Sequence, residues 1–408
     1  MWTTIMMGLR NLSRRRFRTV LTVLMIFGGT VAVVFSVGLA EGTYGRMTDL
    51  ATRTFTGHFQ ITARGYHDKP SLFKTVKGWE KTLKQLAGNS LVAGFAPRVE
   101  TGGLLSSGKR TLGVGLIGVD PEREPRVTTI SRAIKSGEWF KTGPYPGEAR
   151  PILLGAGVAR RLRVSLGDEL SFVTQAADGS LAAELFTLTG IIRTGAEELD
   201  GSLVLARLGD TQEMLVLGSR IHRIVGLVGD LGRLAELKSG FRAPPGDEFM
   251  TWAEILPQLE QTIEVDRGGM YITLAIIMAV VLLGVGNTMM MVVLERTREF
   301  GVMLALGSTP GKLLLVLVGE AGWLTLLGVG GGTAVGSFLN YVTTFHPLPL
   351  GNEPLSYGGV VISEMVAVNG LLGNLYFPIL ILVCGLLAGV LPALRAARLN
   401  PAEALRPV

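Results

Sequence analysis

The chain is patterned as four long apolar runs set apart by segments of different character. The first run, Thr19–Ala40, and the second, Met270–Leu294, hold no charge. The third, Leu313–Leu339, is interrupted only by Glu320, and the fourth, Leu371–Leu394, is uncharged with Pro392 near its end. Each supplies the ~20 apolar residues that a helix needs to cross a bilayer core. Residues 41–269 change pattern: charge rises and apolar runs shorten. Alternation with β-branched residues predicts strands at His58–Ala63, Gly113–Val119, Pro151–Leu154, Glu169–Val173, Phe186–Ile192 and Ile221–Val228. Apolar positions at helix spacing predict helices over Ser71–Leu86, Asp210–Leu217 and Leu231–Lys238.

Flanking charge orients the runs. Arg10, Arg14, Arg15, Arg16 and Arg18 precede the first; Arg296, Arg298 and Lys312 lie between the second and third; Arg395, Arg398 and Arg406 follow the fourth. Tyr341–Gly370 contains no Lys or Arg. The positive-inside rule then places both termini and the 295–312 loop in the cytoplasm, and residues 41–269 and 340–370 outside. The predicted layout is a cytoplasmic amphipathic helix over 1–18, spans over 19–40, 270–294, 313–339 and 371–394, and a cytoplasmic tail over 395–408. Ile5, Met6, Leu9 and Leu12 share one face of the first segment, as in helices that lie in the membrane interface. A cleaved signal peptide is the weaker reading of residues 1–40, because signal cores run only ~7–15 apolar residues. The expected fold class is an integral membrane α-helical protein with four transmembrane helices. A large α+β extracytoplasmic domain, with room for two subdomains, lies between helices 1 and 2.

Composition agrees. Apolar residues make up 48% of the 408 and charged residues 18%, too apolar a balance for an ordinary soluble enzyme. The 55 glycines suit closely packed membrane helices. The net charge of +6 sits at span flanks rather than in a separate basic domain, so no nucleic-acid partner is expected. Cys384 is the single cysteine, and His58, His67, His222 and His346 lack metal-ligand spacing.

The chemistry concentrates in residues 287–320. Glu295-Arg296-Thr297-Arg298-Glu299 ends the second run, and Gly307-Ser308-Thr309-Pro310-Gly311 breaks the chain before the third. This reads as a membrane hairpin with a compact charged helix at its tip, a docking element for a cytoplasmic partner. Glu295, Arg296, Arg298 and Glu299 stand at spacings that allow pairing along the helix, and Leu304 and Leu306 offer an apolar contact. Gly307–Lys312 only superficially resembles a phosphate loop, since three residues separate the glycines and Leu313 follows the lysine. The chain has no Gly-x-Ser-x-Gly, HExxH or CxxC motif. Glu197-Glu198 and Asp200 read as a solvated loop, and Gly155–Leu162 followed by Gly167-Asp168 as helix, turn and strand. No catalytic residue is assigned. Glu320 and Asn287 are the polar residues singled out within the spans; a carboxylate there marks function by default, and interface anchoring or a helix–helix hydrogen bond are the structural alternatives.

The stretch Asn287–Glu320 resembles the signature of a superfamily of ATP-binding-cassette (ABC) permeases. It includes the macrolide exporter, the lipoprotein-releasing permeases and the cell-division permease. The likeness rests on Asn287, Glu295-Arg296, Arg298-Glu299, Gly301, Ala305-Leu306-Gly307 and Glu320. Gly8-Leu9-Arg10-Asn11-Leu12 resembles the family's first helix, and Ala397–Arg406 its C-terminal tail. Gly137–Phe140 and Ile152–Gly155 through Gly167-Asp168 resemble the outer domain of the exporter and lipoprotein-releasing members.

The resemblance implies a permease that is not catalytic alone. It works with a dimer of separate ATPase subunits that use ATP-Mg, and with a second permease copy or paralogue. A periplasmic carrier or adaptor is a further implied partner, beside the lipid bilayer. Residues Glu295, Arg296, Arg298, Glu299, Gly301, Ala305, Leu306 and Gly307 would couple to the ATPase. The location implied is the inner membrane of a Gram-negative cell. The function implied first is mechanical extraction or export of a lipoprotein or amphiphilic substrate. Tripartite efflux of drugs, peptides or lipids, and a non-transporting permease that activates a periplasmic hydrolase, are the rivals.

Overall fold

The computed structural model describes residues 16–141, 143, 149–350, 355–357, 360–362 and 364–398. The expected amphipathic helix before residue 16, the Gly8–Leu12 motif and the tail from residue 399 lie outside the described residues. The chain divides into two compact units: a helical one, of residues up to Gly45, Ile263–Leu350 and Glu364 onward, and one of Arg46–Thr262 with 351–363.

The helical unit is built on five helices: α1 (Arg16–Ala51), α2 (Pro257–Glu295), α3 (Thr297–Ala305), α4 (Pro310–Phe345) and α5 (Phe377–Ala397). Among the described residues, four apolar helices are long enough to cross a membrane. At ~1.5 Å per residue, α1 and α2 exceed the ~30 Å of a bilayer core, so each runs well past its apolar stretch. Past those stretches, the Tyr44 hydroxyl donates to Asp266 (2.5 Å) and Arg267 lies 3.7 Å from Glu41, which ties α1 to α2. Ile26 and Val33 of α1, Val285 and Met289 of α2, Leu317 of α4 and Ile381 of α5 share one buried core. Gly328, Gly332 and Gly336 form a stripe along α4 against α1. A β-carbon on Gly332 would stand 2.6 Å from Thr30, and one on Gly336 2.8 Å from Val34. Small residues four apart let two helix backbones approach, which supplies the packing that lipid cannot. The buried Asn340 amide donates to the Val34 carbonyl (3.1 Å) and adds a polar tie between the same helices.

The second unit holds one ten-stranded sheet: β1 (Phe59–Ala63), β2 (Val92–Ser106), β3 (Thr111–Val119), β4 (Ile134–Gly137), β5 (Arg150–Gly155), β6 (Glu169–Gln175), β7 (Leu181–Ile192), β8 (Leu203–Arg207), β9 (Arg223–Val228) and β10 (Asp247–Thr251). The path runs β10-β1-β9-β2-β3-β8-β5-β7-β4, and β6 joins β2 to β7. Strands β2, β3, β8, β5, β7 and β6 thereby close into a ring, with only β3–β8 and β5–β7 parallel. β2 is long enough to pair with β9 over its first half and with β3 and β6 over its second, so the ring and its β9-β1-β10 extension share a strand. Leu105, Phe172, Phe186, Leu188, Leu154 and Leu116 belong to the same buried core as Phe59 and Ile61. The continuous sheet covers this main core, and a smaller core gathers Val119, Ile130, Phe140, Leu153 and Leu205.

The local departures from the sequence reading have physical causes. The predicted helix Ser71–Leu86 shrinks to Trp79–Ala87, because Gly78 takes a left-handed conformation (φ 57°) and the preceding segment pairs elsewhere, Val76 N–H donating to the Ile221 carbonyl (2.9 Å). The predicted helix Asp210–Leu217 becomes Leu208–Met214, which ends before the left-handed Val216 (φ 54°). Leu231–Lys238 becomes a 3-10 turn followed by a helix over Leu234–Gly240. β2, β4, β8 and β10 carry no clean alternation and lie outside the predicted strands. Asp200, expected in a solvated loop, is buried and accepts the backbone N–H (2.8 Å) and hydroxyl (2.8 Å) of Thr194.

Candidate functional site

The hairpin between α2 and α4 is bounded by backbone chemistry that the sequence supplies. α2 ends at Glu295, Arg296 breaks the helical path (φ −109°, ψ 14°), and α3 begins at Thr297. Gly307, with φ 89°, caps the other end: its N–H donates to the Leu304 carbonyl and that of Ser308 to the Met303 carbonyl. This pair of bonds is a Schellman cap, whose left-handed position glycine occupies at little steric cost. Pro310 then opens α4 at a position where a missing N–H is harmless.

α3 has two faces. Phe300, 1% exposed, plugs into the bundle core, and Gly301 is buried beside it. Met303 and Leu304 pack partly against the same core. Arg298, Glu299, Val302 and Ala305 point away, and Leu306 at the tip is 83% exposed. Of the two leucines expected to offer an apolar contact, Leu306 is thus the one left uncovered.

The charges divide likewise. Arg18 of α1 forms a two-pronged pair with Glu295 (2.7 and 3.0 Å). One turn deeper, the Thr22 and Thr288 hydroxyls meet at 3.0 Å. Arg296 reaches Glu299 (2.8 Å) and the buried Glu320 of α4 (3.5 Å), and lies over the Phe300 ring. Among the described residues the ion pair along the hairpin is Arg296–Glu299, while Glu295 also reaches Arg18 of α1 and Arg296 reaches Glu320 of α4. Glu320 thus lies within reach of the hairpin's Arg296 across two helices. Arg298 forms no ion pair among the described residues. Asn287 is exposed on α2 with no hydrogen-bond partner among the described residues, so it stands apart from this network. Thr22 and Thr288, which do meet, gave no sequence signal because threonines within apolar helices are common.

A second constellation lies in the sheet unit. A π-helical turn, Thr52–Thr56, continues α1. Arg98 of β2 and Glu124 are both fully buried and joined by two hydrogen bonds (3.1 and 2.5 Å). The same guanidinium donates to the Phe55 carbonyl (2.8 Å) and covers the Phe55 ring at 4.2 Å, while Thr128 donates to Glu124 (2.8 Å). Thr129 N–H bonds the Arg53 carbonyl (2.8 Å) and Gln60 the Thr56 carbonyl (2.8 Å). The end of α1 is thus gripped by a buried charge pair and a set of carbonyl bonds. Sequence reasoning missed Arg98 and Glu124; the available signal was an arginine amid the apolar half of a long strand.

Four apolar helices with a large α+β domain between the first and second define a multi-pass membrane protein of permease design. Comparison with known proteins gives the family. The model of the MacB-like periplasmic core domain matches residues 19–242, and that of the FtsX-like permease C-terminal domain matches residues 271–401. The chain belongs to this MacB/FtsX-like superfamily of ABC transporter permeases. The lipoprotein-releasing system transmembrane protein LolC of Xylella fastidiosa is 22% identical, over 99% of this chain and 98% of the relative. LolE of Haemophilus influenzae is 24% identical over 81% of each chain. The macrolide export ATP-binding/permease protein MacB of Neisseria gonorrhoeae is 25% identical over 98% of this chain, which spans 60% of that relative. Among solved structures, the periplasmic region of MacB from Actinobacillus actinomycetemcomitans matches with a TM-score of 0.33 and 17% identity, over 50% of this chain and 92% of that one.

Proposed function

We propose that this chain is the transmembrane subunit of a transporter driven by a separate dimeric ATPase, which docks on α3 and its Gly307 turn and supplies all the ATP-Mg chemistry. The observation that carries the reading is the division of labour in the hairpin. Its inward side is fixed by Phe300, Glu295 and Arg296, and its tip leaves Leu306 and Arg298 uncovered. A tip transmits force only if it is held stiffly, and exposed leucine beside charge is the kind of surface a partner covers. α1, a single helix whose end is gripped around Arg98, is the proposed lever to the extracytoplasmic domain. Both termini and the hairpin lie in the cytoplasm, on the strength of the flanking arginines. Likeness to the lipoprotein-releasing LolC along nearly the whole chain, and to LolE along 81% of it, favours a lipid-anchored or amphiphilic substrate. The match of residues 19–242 to the MacB-like core supports tripartite efflux as the second reading.

The experiment is co-purification of the full chain with its ATPase, before and after Leu306→Asp and Gly307→Asp. The expected result is a stoichiometric ATPase with the native chain and loss of association or of coupled ATP hydrolysis with either variant, membrane insertion being unchanged. Unchanged association and coupling would overturn the reading.

A further inference from the structure

Where α1 ends inside the sheet unit, a cavity of about 600 Å³ opens between three segments. Leu50 and Phe55 line it from α1 and its π-helical turn, Leu199 from the 194–202 segment, and Ile255 and Leu259 from the approach to α2. The volume lies in the range of small-molecule sites, which are mostly apolar with a few placed polar groups. Here the polar lining residues are Thr54, Thr56, Thr194, Ser202 and Gln258, with one charge, Glu198. No lysine, arginine or histidine lines the cavity. Arg161 lines a neighbouring depression together with Glu198 but forms no ion pair with it. Glu198 is exposed and has no cationic partner among the described residues. The 194–202 segment that carries it is fixed from beneath, by Asp200 accepting from Thr194 and by Gly155 and Gly157, whose added β-carbons would collide with the backbone of residues 200 and 201.

We infer that this cavity is a binding site for an amphiphile with a single cationic head: an apolar body seated among Leu50, Phe55, Leu199, Ile255 and Leu259, and an ammonium group facing Glu198. Charge decides the class. A carboxylate on a cavity that no cation lines favours an amine over its neutral analogue and repels an anionic one, a modest preference because Glu198 is exposed and Arg161 stands in the adjoining depression. The binding itself does not depend on the permease reading, because no ATPase takes part in it. The site adjoins the turn gripped by Arg98, so occupancy bears directly on the end of α1.

The test titrates the purified full chain, in detergent, with the fluorescent amine monodansylcadaverine and with its neutral N-acetyl derivative. Saturable emission enhancement is expected, with the amine bound about fivefold tighter than the neutral form. Glu198→Gln, on an exposed side chain, should retain the neutral probe and bring the two affinities within about twofold of each other. Ala51→Trp, which fills the cavity, should remove both; if that variant fails to fold, Glu198→Gln decides alone. Absence of saturable binding, or an amine preference unchanged in Glu198→Gln, would overturn the inference. Failure here with normal ATPase association would leave the permease reading intact, and the converse result would leave this site intact.

Discussion

Arg98 shows what one side chain holds in place. Its guanidinium is fully buried and is committed to Glu124 and to the Phe55 carbonyl. Removing one member of a buried pair strands the other charge, at ~3–5 kcal/mol. Glu124→Ala is accordingly expected to destabilise the sheet unit by about that amount, read as a lowered thermal midpoint of the full chain, while Arg98→Met with Glu124→Leu recovers most of the loss. A double variant no better than Glu124→Ala would show that the pair is not the source. His222 supplies a pH dependence. It is buried and stacked on Tyr66, with Glu100 N–H donating to its Nδ1 (2.9 Å), and burial holds its pKa below the ordinary 6.5, the Leu72 carbonyl pulling less strongly the other way. Glu100 and Arg223 stand close by as an ion pair. In the window below 6.5 the unfolded chain binds the proton and the folded chain does not, so this contribution is full above 6.5 and is lost as pH falls below it. The thermal midpoint should drop on acidification from about pH 7 to about 5.5, the range in which histidine titrates, and His222→Gln should flatten that drop; an equal slope in the variant would assign it to other groups. None of these partners was legible in the sequence, because Arg98 with Glu124 and Tyr66 with His222 are distant along the chain and meet only once the sheet and the short segments packed on it have folded.

Among the elements, legibility followed periodicity. The four apolar runs announced α1, α2, α4 and α5, since an uncharged stretch of that length has few alternatives. Strands with strict alternation, such as β6 and β7, were visible; β2 was not, because its burial changes where it leaves β9 for β3 and β6. The helix predicted over Ser71–Leu86 failed at Gly78, where apolar spacing says nothing about backbone handedness. The hairpin was legible as a motif but not in its wiring. Pairing along α3 was the local expectation, whereas the bidentate pair joins Glu295 to Arg18 of α1. If that pair staples the hairpin, Arg18→Gln and Glu295→Gln should each lower the thermal midpoint and ATPase coupling, and the double variant should lose clearly less than the sum of the two. Additive losses would mean that the two residues act separately.

For the whole molecule, orientation joins the hairpin, the lever and the cavity into one reading. Its basis is the crowd of arginines before α1 and around α3, set against their absence from Tyr341–Gly370. Two exposed turns test it: the β6–β7 turn at Ser180, where the backbone and hydroxyl are held by Asp178, and the cap of α3 at Ser308. Both lie outside the apolar spans. The single native cysteine, Cys384, is within α5 and is removable as Cys384→Ala. In that background Ser180→Cys should react with a membrane-impermeant maleimide in intact spheroplasts, and Ser308→Cys only after lysis. The reverse pattern would place the hairpin outside the cell, beyond reach of any cytoplasmic ATPase, and would remove the proposed drive while leaving the fold as described. Labelling of both sites in intact cells would mean that the chain does not hold one topology, and a lever that must carry motion from one side of the membrane to the other requires one.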